Sequence, residues 1–444
     1  MRRIIAAGIG TLLTFGSAIA LADDKAMNEA PSGFLSLFNG RDLNAWRGRK
    51  GDFSVYKQAE MSPKELEESR AQWAADARKH WKVDAAKGEI VSDGKGVFLA
   101  TDRDYGDYEF YVDWKMVSHN GDSGIYLRSY PQVQIWDPEN TKEVKNGAEK
   151  GSGALWNNNA DNPGKWPLVK ADKPIGEWNT FHVKIIGARV WVWFNDKLTV
   201  DGQILDNIYD RKRSVLPRGP IELQTHGSET RFRNIFLREI KSDEANETLN
   251  KRIGEDGFKS VFNGKDLDGW AGPIDEYEVR NGAVMCKPGK GGTIYTKEQF
   301  EDFEAKVEFQ LPPSGNNGLA IRYPGHGDTA YVGMCEVQVL DDTAPIYDHL
   351  DPRQYCGSVY GMIPAQRGYL HPLGDWNFEH VIVKGHQIRV ELNGTVIVDG
   401  DVSKVTEFAA NHEHPGLMNL KGAFGLAGHS DPVAFRNIEV KPLH

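Results

Sequence analysis

The chain has 444 residues, of which 26% are charged and 40% hydrophobic, and its mean hydropathy is -0.52. These values are typical of a soluble globular protein and exclude disordered or collagen-like chains. The length predicts two or three domains. The 47 glycines and 21 prolines, together with 12 Trp, 15 Tyr and 19 Phe, indicate many turns between aromatic-rich strands, so an all-β fold is predicted.

The first 22 residues predict a Sec-type signal peptide. Arg2 and Arg3 precede an apolar run that ends in Ala20-Leu21-Ala22, a small-residue cleavage motif. A retained membrane anchor is the alternative. No later segment is expected to span a membrane, so we expect a periplasmic or secreted protein. The formal charge is -10 before cleavage and becomes -12 without the two arginines, which makes nucleic acid and anionic membranes poor partners.

The chain contains only three cysteines, Cys286, Cys335 and Cys356, all in its second half. An exported protein can form disulfides, and Cys335 with Cys356 is the nearer pair in sequence. Three buried free thiols are the equal alternative. The spacing of Cys and His excludes the common zinc motifs.

Three motifs occur twice in the same order, which indicates a tandem duplication. The pairs are F-N-G-R-D-L at 38–43 with F-N-G-K-D-L at 262–267, G-E-W-N at 176–179 with G-D-W-N at 374–377, and F-R-N-I at 232–235 with F-R-N-I at 435–438. Their offsets are 224, 198 and 203 residues, so the first copy carries an early insertion. Ser62 as N-cap, Pro63 at the first helical position and Glu65 three residues after the cap predict that this insertion is a helix near 62–80.

Between these motifs the hydrophobic pattern alternates with a period of two, which predicts strands. The clearest strands are 108–115, 181–186, 190–194, 303–309 and 389–392, with tight hairpin turns at Asn195-Asp196 and Asn393-Gly394. Each copy is therefore predicted to be an antiparallel β-sandwich of two sheets. The predicted domains are residues 31–241 and 256–444, joined by a linker at 242–255 that begins with charged residues without apolar periodicity.

Both copies resemble the 3-keto-disaccharide hydrolase domain family, formerly catalogued as a domain of unknown function. Besides the duplicated motifs, the resemblance is carried by S-G-I-Y-L-R at 123–128, V-Q-I-W-D at 133–137, G-P-I-E-L-Q-T-H-G at 219–227, N-G-L-A-I-R at 317–322 and E-V-Q-V-L-D at 336–341. Together the two matches cover almost all of the chain beyond residue 22. The resemblance implies two tandem concanavalin A-like jelly-roll sandwiches, export in bacteria, and action on glycosides whose sugar carries a 3-keto group.

The segment 336–341 is the leading candidate for an active-site strand. Alternation places Glu336 and Gln338 on one face, and Asp341 joins that face if a bulge intervenes. The pattern resembles the E-x-D-x-x-E strand of retaining jelly-roll glycanases, with its middle and last acids altered. We interpret Glu336 and Asp341 as catalytic and Gln338 as substrate-binding. The alternative is an amphipathic strand with a solvated polar face.

The corresponding strand of the first copy lacks this glutamate. It reads Q-V-Q-I-W-D at 132–137, so Gln134 is kept as a substrate-binding candidate and Asp137 as a catalytic one. Gln132 stands at the position of Glu336, and an amide cannot accept a proton as a carboxylate does. If Glu336 is the base, turnover is therefore expected in the second copy.

Arg128 and Arg322 are candidate substrate-binding residues in the strands next to these. Gly124 and Gly318 precede them and would leave room above the sheet for a ligand ring. Each guanidinium could hold the enediolate of a keto sugar through two hydrogen bonds. The alternative is a structural salt bridge to Asp137 or Asp341.

Two histidines and two tryptophans recur at matching places in the copies. His226 and His429 suit proton transfer near neutral pH and are catalytic candidates, with a structural role as the alternative. Trp178 and Trp376 would stack on a sugar if exposed, or belong to the core if buried. No cofactor is expected, and a divalent metal held by Asp341-Asp342 is a minority alternative.

These features favour an exported glycoside-cleaving enzyme whose partner is a small sugar or oligosaccharide. A ketone at carbon 3 acidifies the proton at carbon 2, so one base can remove that proton and expel the aglycone from carbon 1. Hydration of the resulting enone completes a net hydrolysis. The first alternative is a non-catalytic carbohydrate-binding protein, and the second is one catalytic copy beside one binding copy.

Overall fold

Alternating apolar and polar residues organise residues 26–443, the part described by the computed structural model, into four antiparallel sheets. The predicted signal peptide at 1–22 lies outside these residues. In each half of the chain a larger and a smaller sheet enclose one hydrophobic core. The predicted all-β fold of two tandem jelly-roll sandwiches, the first with a helical insertion, is confirmed.

The first sandwich contains thirteen strands. In chain order they are β1 (Leu35–Ser36), β2 (Trp46–Arg49), β3 (Trp81–Asp84), β4 (Glu89–Ser92), β5 (Phe98–Thr101), β6 (Tyr108–Met116), β7 (Asp122–Leu127), β8 (Tyr130–Trp136), β9 (Asn179–Ile186), β10 (Arg189–Phe194), β11 (Lys197–Ile204), β12 (Glu222–Leu223) and β13 (Thr230–Glu239). The larger sheet has the order β11-β10-β9-β6-β13-β4-β3, with β1 also paired to β13. The smaller sheet has the order β2-β5-β12-β7-β8.

The second sandwich also contains thirteen strands. They are β14 (Lys259–Ser260), β15 (Trp270–Ala271), β16 (Tyr277–Arg280), β17 (Ala283–Cys286), β18 (Gly292–Phe300), β19 (Phe303–Gln310), β20 (Asn316–Tyr323), β21 (Cys335–Leu340), β22 (Trp376–Lys384), β23 (Gln387–Leu392), β24 (Thr395–Asp401), β25 (Gly422–Gly428) and β26 (Ala434–Pro442). Its sheets run β16-β17-β26-β19-β22-β23-β24, with β14 on β26, and β15-β18-β25-β20-β21. The strand order therefore repeats that of the first half.

The inserted helix forms where its capping residues predict it. Four α-helices lie among the described residues: α1 (Val55–Ala59), α2 (Pro63–His80), α3 (Ser242–Ile253) and α4 (Thr329–Val332). At the start of α2, the Ser62 amide donates to Glu65 Oε2 and the Glu65 amide donates to Ser62 Oγ, which is a complete capping box. The helix packs against β2, where a Cβ on Gly48 would lie only 2.2 Å from the Trp73 carbonyl oxygen.

The segment predicted as an unpatterned linker is mostly α3, which packs between the two sandwiches. Ala245 and Leu249 are buried, and they share an apolar cluster with Ile186 of the first sandwich and Phe378 of the second. Ala245 and Leu249 are four residues apart, the spacing of one helix face, but the charged residues around them made this pattern hard to detect in the sequence. Beside the helix, buried Arg189 donates through Nε and Nη2 to the two carboxylate oxygens of Glu391, which joins β10 to β23.

All three cysteines are buried free thiols. Among residues 26–443, no helix is both long and apolar enough to cross a membrane. The predicted hairpin turns also form: Asn195 and Asn393 adopt left-handed backbone angles, with φ of 47° and 48°.

One carboxyl group is buried in the second core without a partner. Glu379 of β22 takes the place that Phe181 has on β9, pairing with Val307 of β19 as Phe181 pairs with Val112 of β6. Neither carboxylate oxygen has a hydrogen-bond partner among the described residues. Burial raises the pKa of Glu379 to about 8.

We predict that Glu379→Gln stabilises the protein increasingly as the pH rises above about 5. The folded carboxyl keeps its proton until about pH 8, whereas the unfolded one loses it near 4.5, so rising pH between these values favours unfolding of the wild type. The difference in the free energy of unfolding between the variant and the wild type should grow by at most about 1.4 kcal/mol per pH unit. Calorimetric melting at pH 5, 6, 7 and 8 measures it. The exposed Glu298→Gln serves as control, and an equal gain at every pH would contradict the prediction.

Candidate active site

Strand β21 presents Glu336 and Gln338 on the outer face of the smaller sheet, as its alternation predicts. Val337 and Val339, between and beside them, are buried in the core. On the neighbouring strand β20, Gly318 pairs with Gln338. The polar face is nevertheless covered, because the Glu336 residue is only 3% exposed.

A cavity of about 140 Å³ opens over this face of the sheet. Glu336, Gln338 and His429 line it, together with Asn316, Asp328, Tyr331, Tyr347, Gln354 and Tyr360. His429 directly follows β25, and its Nε2 lies 3.9 Å from Glu336 Oε1. The cavity is smaller than the roughly 300–1,000 Å³ typical of drug-sized ligands, so it suits a single sugar ring.

Small residues lie beside Glu336 on the same face of the smaller sheet. Ala320 pairs with Glu336 on one side and with Gly425 on the other, and Gly318 follows on the same face. A Cβ on Gly318 would lie 2.2 Å from Glu336 Oε1. The space above this glycine, predicted to admit a ligand ring, is thus filled by the Glu336 side chain itself.

The carboxyl of Glu336 and the imidazole of His429 change each other's proton affinity. Burial raises the pKa of Glu336, and His429 opposes that shift. The Glu336 carboxylate in turn raises the pKa of His429. Hydrogen bonding assigns the amide orientation of Gln338 in which Nε2 donates to Glu336 Oε1 at 3.1 Å. The pair can therefore hold a proton and exchange it with a bound ligand.

The first sandwich keeps the histidine and moves the carboxylate to another strand. His226 Nδ1 lies 2.8 Å from Asp122 Oδ2, and this carboxylate raises the pKa of His226. Asp122 is on β7, where the second sandwich has Asn316 on β20, and Gln132 on β8 replaces Glu336. Sequence reasoning missed Asp122, although its exchange with Asn316 was visible in the aligned copies.

Both arginines lie away from the sites, which corrects their predicted role in substrate binding. Arg322 is completely buried, and its guanidinium donates to the carbonyl oxygens of Glu301 and Gly385 and to Asp302 Oδ1. Arg128 makes the equivalent bonds to the carbonyl oxygens of Gly106 and Gly187 and to Asp107. Each arginine does form a structural salt bridge, as the alternative predicted. The partners are Asp107 and Asp302, however, and not Asp137 and Asp341.

Asp341 and Asp137 end their strands as turn-capping residues, contrary to the catalytic prediction. Asp341 accepts from the amides of Ser314 and Thr343, and it lines a cleft of about 1,050 Å³ between the sandwiches instead of the cavity of Glu336. Asp137 accepts from the amides of Asn120 and Glu139. No bulge brings either carboxylate back to the polar face.

The two tryptophans belong to the larger sheets and not to the sheets that carry the sites. Trp376 opens β22 and lies under the guanidinium of Arg436, 4.1 Å from ring centroid to Cζ. Trp178, just before β9, lies under Arg233 at 4.0 Å. Stacking of these rings on the substrate is therefore ruled out for a ligand in the Glu336 cavity.

Candidate metal ligands lie in the first sandwich. Within residues 26–443, His119, Asp137 and Glu139 offer ligand atoms within 4.8 Å of one another. The predicted pair, Asp341 and Asp342, is not part of this group: Asp342 accepts from the Cys356 amide and Asp341 from the Thr343 amide.

Both halves of the chain match the sequence model of one protein family. A family described as the 3-keto-alpha-glucoside-1,2-lyase-like domain matches residues 33–238 and 257–441. The chain belongs to this family. The resemblance inferred from the motifs is thereby confirmed.

Individual relatives are more distant. The 3-keto-disaccharide hydrolase of Bacteroides thetaiotaomicron is 25% identical over an alignment of 251 residues, gaps included, that covers 47% of this chain and 86% of the relative. A solved Parabacteroides distasonis structure, described as a candidate glycosyl hydrolase, is 26% identical, covers 42% of this chain and 99% of its own, and has a TM-score of 0.39. The GH16 endo-beta-1,3(4)-glucanase SCLam is 12% identical over 42% of this chain and 84% of its own, with a TM-score of 0.26.

We predict that Glu336→Gln lowers the pKa of His429 toward its ordinary value of 6.5. In the wild type, the negative charge of Glu336 lies 3.9 Å from His429 Nε2 and favours the imidazolium form. The substitution removes this charge. NMR titration of the His429 ring protons measures the shift. The control is Asp341→Asn, which removes a negative charge just after β21 but outside the cavity. This variant should leave the pKa of His429 unchanged. Equal effects of the two variants would refute the pairing.

Proposed function

We propose that this protein is a glycoside-cleaving enzyme that acts on 3-keto sugars at the cavity of the second sandwich. The observation that carries the proposal is the Glu336–His429 pair facing a cavity of about 140 Å³. Membership of the 3-keto-alpha-glucoside-1,2-lyase-like family and the name of the Bacteroides relative support the substrate class.

In the proposed reaction, Glu336 is the base and His429 is the acid. The Glu336 carboxylate takes the proton from carbon 2, the electron pair left behind forms the carbon 1–carbon 2 double bond, and the bond from carbon 1 to the aglycone oxygen breaks. His429 donates its proton to that oxygen. A raised pKa suits both roles, because it makes Glu336 a stronger base and favours the protonated form of His429. Addition of water to the enone completes the net hydrolysis.

Tyr360 replaces Arg322 as the proposed stabiliser of the enolate oxygen. Its hydroxyl oxygen accepts a hydrogen bond from Gln354 Nε2 at 2.7 Å, so its own proton is free to be donated. Both residues line the cavity. A donor aimed at developing negative charge stabilises the transition state more than the ground state.

Turnover belongs to the second sandwich in this proposal. Gln132 occupies the position of the base in the first sandwich, and larger side chains stand in the row beside it: Tyr126 is where the second sandwich has Ala320, and Glu222 where it has Gly425. The Glu222 carboxylate is itself buried and paired with Arg49. The first sandwich therefore lacks the proposed base.

We further propose that the protein is exported to the periplasm or secreted, on the basis of the signal peptide expected at residues 1–22. The chemistry needs no redox cofactor, because the ketone is already present in the substrate.

The substrate class is tested with ordinary and 3-keto disaccharides incubated side by side with the protein, with and without a chelator. Cleavage of the keto sugar alone supports the proposal, and cleavage that survives chelation supports metal-free chemistry. Binding without turnover would instead identify a carbohydrate-binding protein. Cleavage of the ordinary sugar would show a glycosidase of another mechanism.

We predict that Glu336→Gln lowers kcat by about 10²–10⁴-fold and changes KM little, because the amide keeps the shape of the side chain but cannot accept the proton. Steady-state kinetics on the keto sugar measure both constants. Asp137→Asn is the control and should have a much smaller effect. Full activity of the Glu336→Gln protein would end the assignment of Glu336 as base.

We predict that Tyr360→Phe lowers kcat by about 10²-fold, the lower end of the loss seen when an oxyanion donor is removed. The matched control is Tyr347→Phe, which lines the same cavity but whose hydroxyl already donates to the Ser314 carbonyl oxygen. Its kcat should stay close to the wild-type value. Equal losses in the two variants would assign the effect to packing.

A further inference from the structure

Glu336 and His429 reach the cavity from the same side, because both belong to the smaller sheet of the second sandwich. In that sheet β20 lies between β21, which carries Glu336, and β25, which His429 directly follows. On β20, Gly318 leaves the room that the Glu336 carboxylate occupies. Glu336 Oε1 and His429 Nε2 are 3.9 Å apart. The proposed base and the proposed acid are therefore neighbours on one surface.

The separation of 3.9 Å is too short for a sugar ring to lie between the two groups. A proton-transferring group works within about 3 Å of the atom it serves, so a base and an acid on opposite faces of a ring stand at least about 6 Å apart. Inverting glycosidases, whose two carboxyl groups act from opposite faces of the ring, keep them about 6.5–9.5 Å apart. Glu336 and His429 therefore serve one face of a bound ring.

The unequal burial of the pair orients the ring in the cavity. The side chain of Glu336 is 4% exposed, whereas that of His429 is 50% exposed and lies nearer the solvent. A sugar whose carbon 2 faces Glu336 thus directs its aglycone oxygen, on carbon 1, toward His429. The aglycone then lies outside the cavity, whose volume of about 140 Å³ suits a single ring.

We propose that the enzyme selects 3-keto glycosides whose carbon 2 hydrogen and aglycone oxygen lie on the same face of the ring, which for a glucose-configured sugar is the β anomer. Glu336 takes the carbon 2 proton, and the electron pair left behind forms the double bond to carbon 1. The bond from carbon 1 to oxygen breaks as His429 gives its proton to that oxygen. Loss of the carbon 2 proton flattens the ring, so the β bond can tilt out of the enolate plane toward His429. This choice of anomer rests on the proposed function.

The α anomer would need a proton donor on the far side of the ring from Glu336. Its aglycone oxygen and its carbon 2 hydrogen lie on opposite faces, and an α-glucoside is the compound by which the matching family is described. In the described part of the chain, the other titratable groups that line the cavity are Asp328, Tyr331, Tyr347 and Tyr360.

None of these four groups matches the imidazolium of His429 as a proton donor. Asp328 is exposed, and an ionised carboxylate only accepts. The Tyr347 hydroxyl already donates to a backbone carbonyl oxygen. Burial raises the pKa of Tyr331 to about 12, and Tyr360 serves the enolate oxygen in the proposed reaction. The proton for the aglycone therefore comes from the face that Glu336 also serves.

The test compares 3-ketocellobiose with 3-ketomaltose, because these disaccharides differ only in the configuration at carbon 1 of the oxidised ring. The aglycone of both is glucose, a poor leaving group that needs a proton. We expect kcat/KM of the whole chain to be at least about 10²-fold higher for 3-ketocellobiose, the lower end of what a positioned proton donor contributes. Steady-state rates on the two sugars measure the ratio.

His429→Gln tests whether the preference comes from the proton donor. The variant should lower kcat/KM for 3-ketocellobiose by about 10²-fold, and much less for 4-nitrophenyl 3-keto-β-glucoside, because nitrophenolate leaves without a proton. The matched control is Tyr360→Phe, which should lower both values by a similar factor, since both substrates form the same enolate. Activity on the nitrophenyl glycoside also shows that each variant is folded.

The outcomes separate this inference from the proposed function. A preference for 3-ketocellobiose that His429→Gln abolishes supports the inference. A preference for 3-ketomaltose, or equal cleavage of the two sugars, overturns it and leaves the proposed function intact, because a keto sugar is still cleaved. Equal losses of the His429→Gln protein on 3-ketocellobiose and on the nitrophenyl glycoside also overturn it. Cleavage of no keto sugar ends the proposed function and the inference together.

Discussion

One buried arginine in each sandwich holds the two sheets in their relative position. Arg128 and Arg322 adopt left-handed backbone angles, with φ of 53° and 51°, and direct their guanidinium groups across the core edge. In the second sandwich, Arg322 lies near the end of β20 in the smaller sheet. It donates to the Glu301 carbonyl oxygen just before β19 and to the Gly385 carbonyl oxygen in the hairpin between β22 and β23, and these three strands belong to the larger sheet. Without it, buried carbonyls would lose their donors. The strand that Arg322 anchors in this way, β20, is also the strand whose Gly318 lies against Glu336.

Local sequence patterns predicted much of this architecture. They failed for features that depend on pairing between strands far apart in the chain. Alternation located the strands and the outward faces of Glu336 and Gln338, and the capping residues located α2. Which sheet a strand joins is set by pairing partners far along the chain, so alternation alone could not show that Trp376 lies on the larger sheet, away from Glu336. The reach of a long side chain is also invisible to periodicity, and Arg322 was misassigned for that reason.

The contrast between the two sandwiches shows how one scaffold supports unequal surfaces. The same row of the smaller sheet carries Ala320 and Gly425 in one copy and Tyr126 and Glu222 in the other. In the second copy the small residues leave space for the Glu336 side chain, and in the first copy larger side chains occupy this row. The segment after β2 then covers the filled face, where Asp52 accepts from the Tyr126 hydroxyl.

The exchange of carboxylate and amide between neighbouring strands constrains how the two copies diverged. Asp122 with Gln132 and Asn316 with Glu336 each give one negative charge beside one histidine. Single substitutions connect these arrangements only through a state with two adjacent carboxylates or a state with none. The first raises a carboxyl pKa by like-charge repulsion, and the second leaves the histidine without its partner. Because the chain carries two copies of the site, either intermediate can arise in one copy while the other keeps a histidine beside one carboxylate.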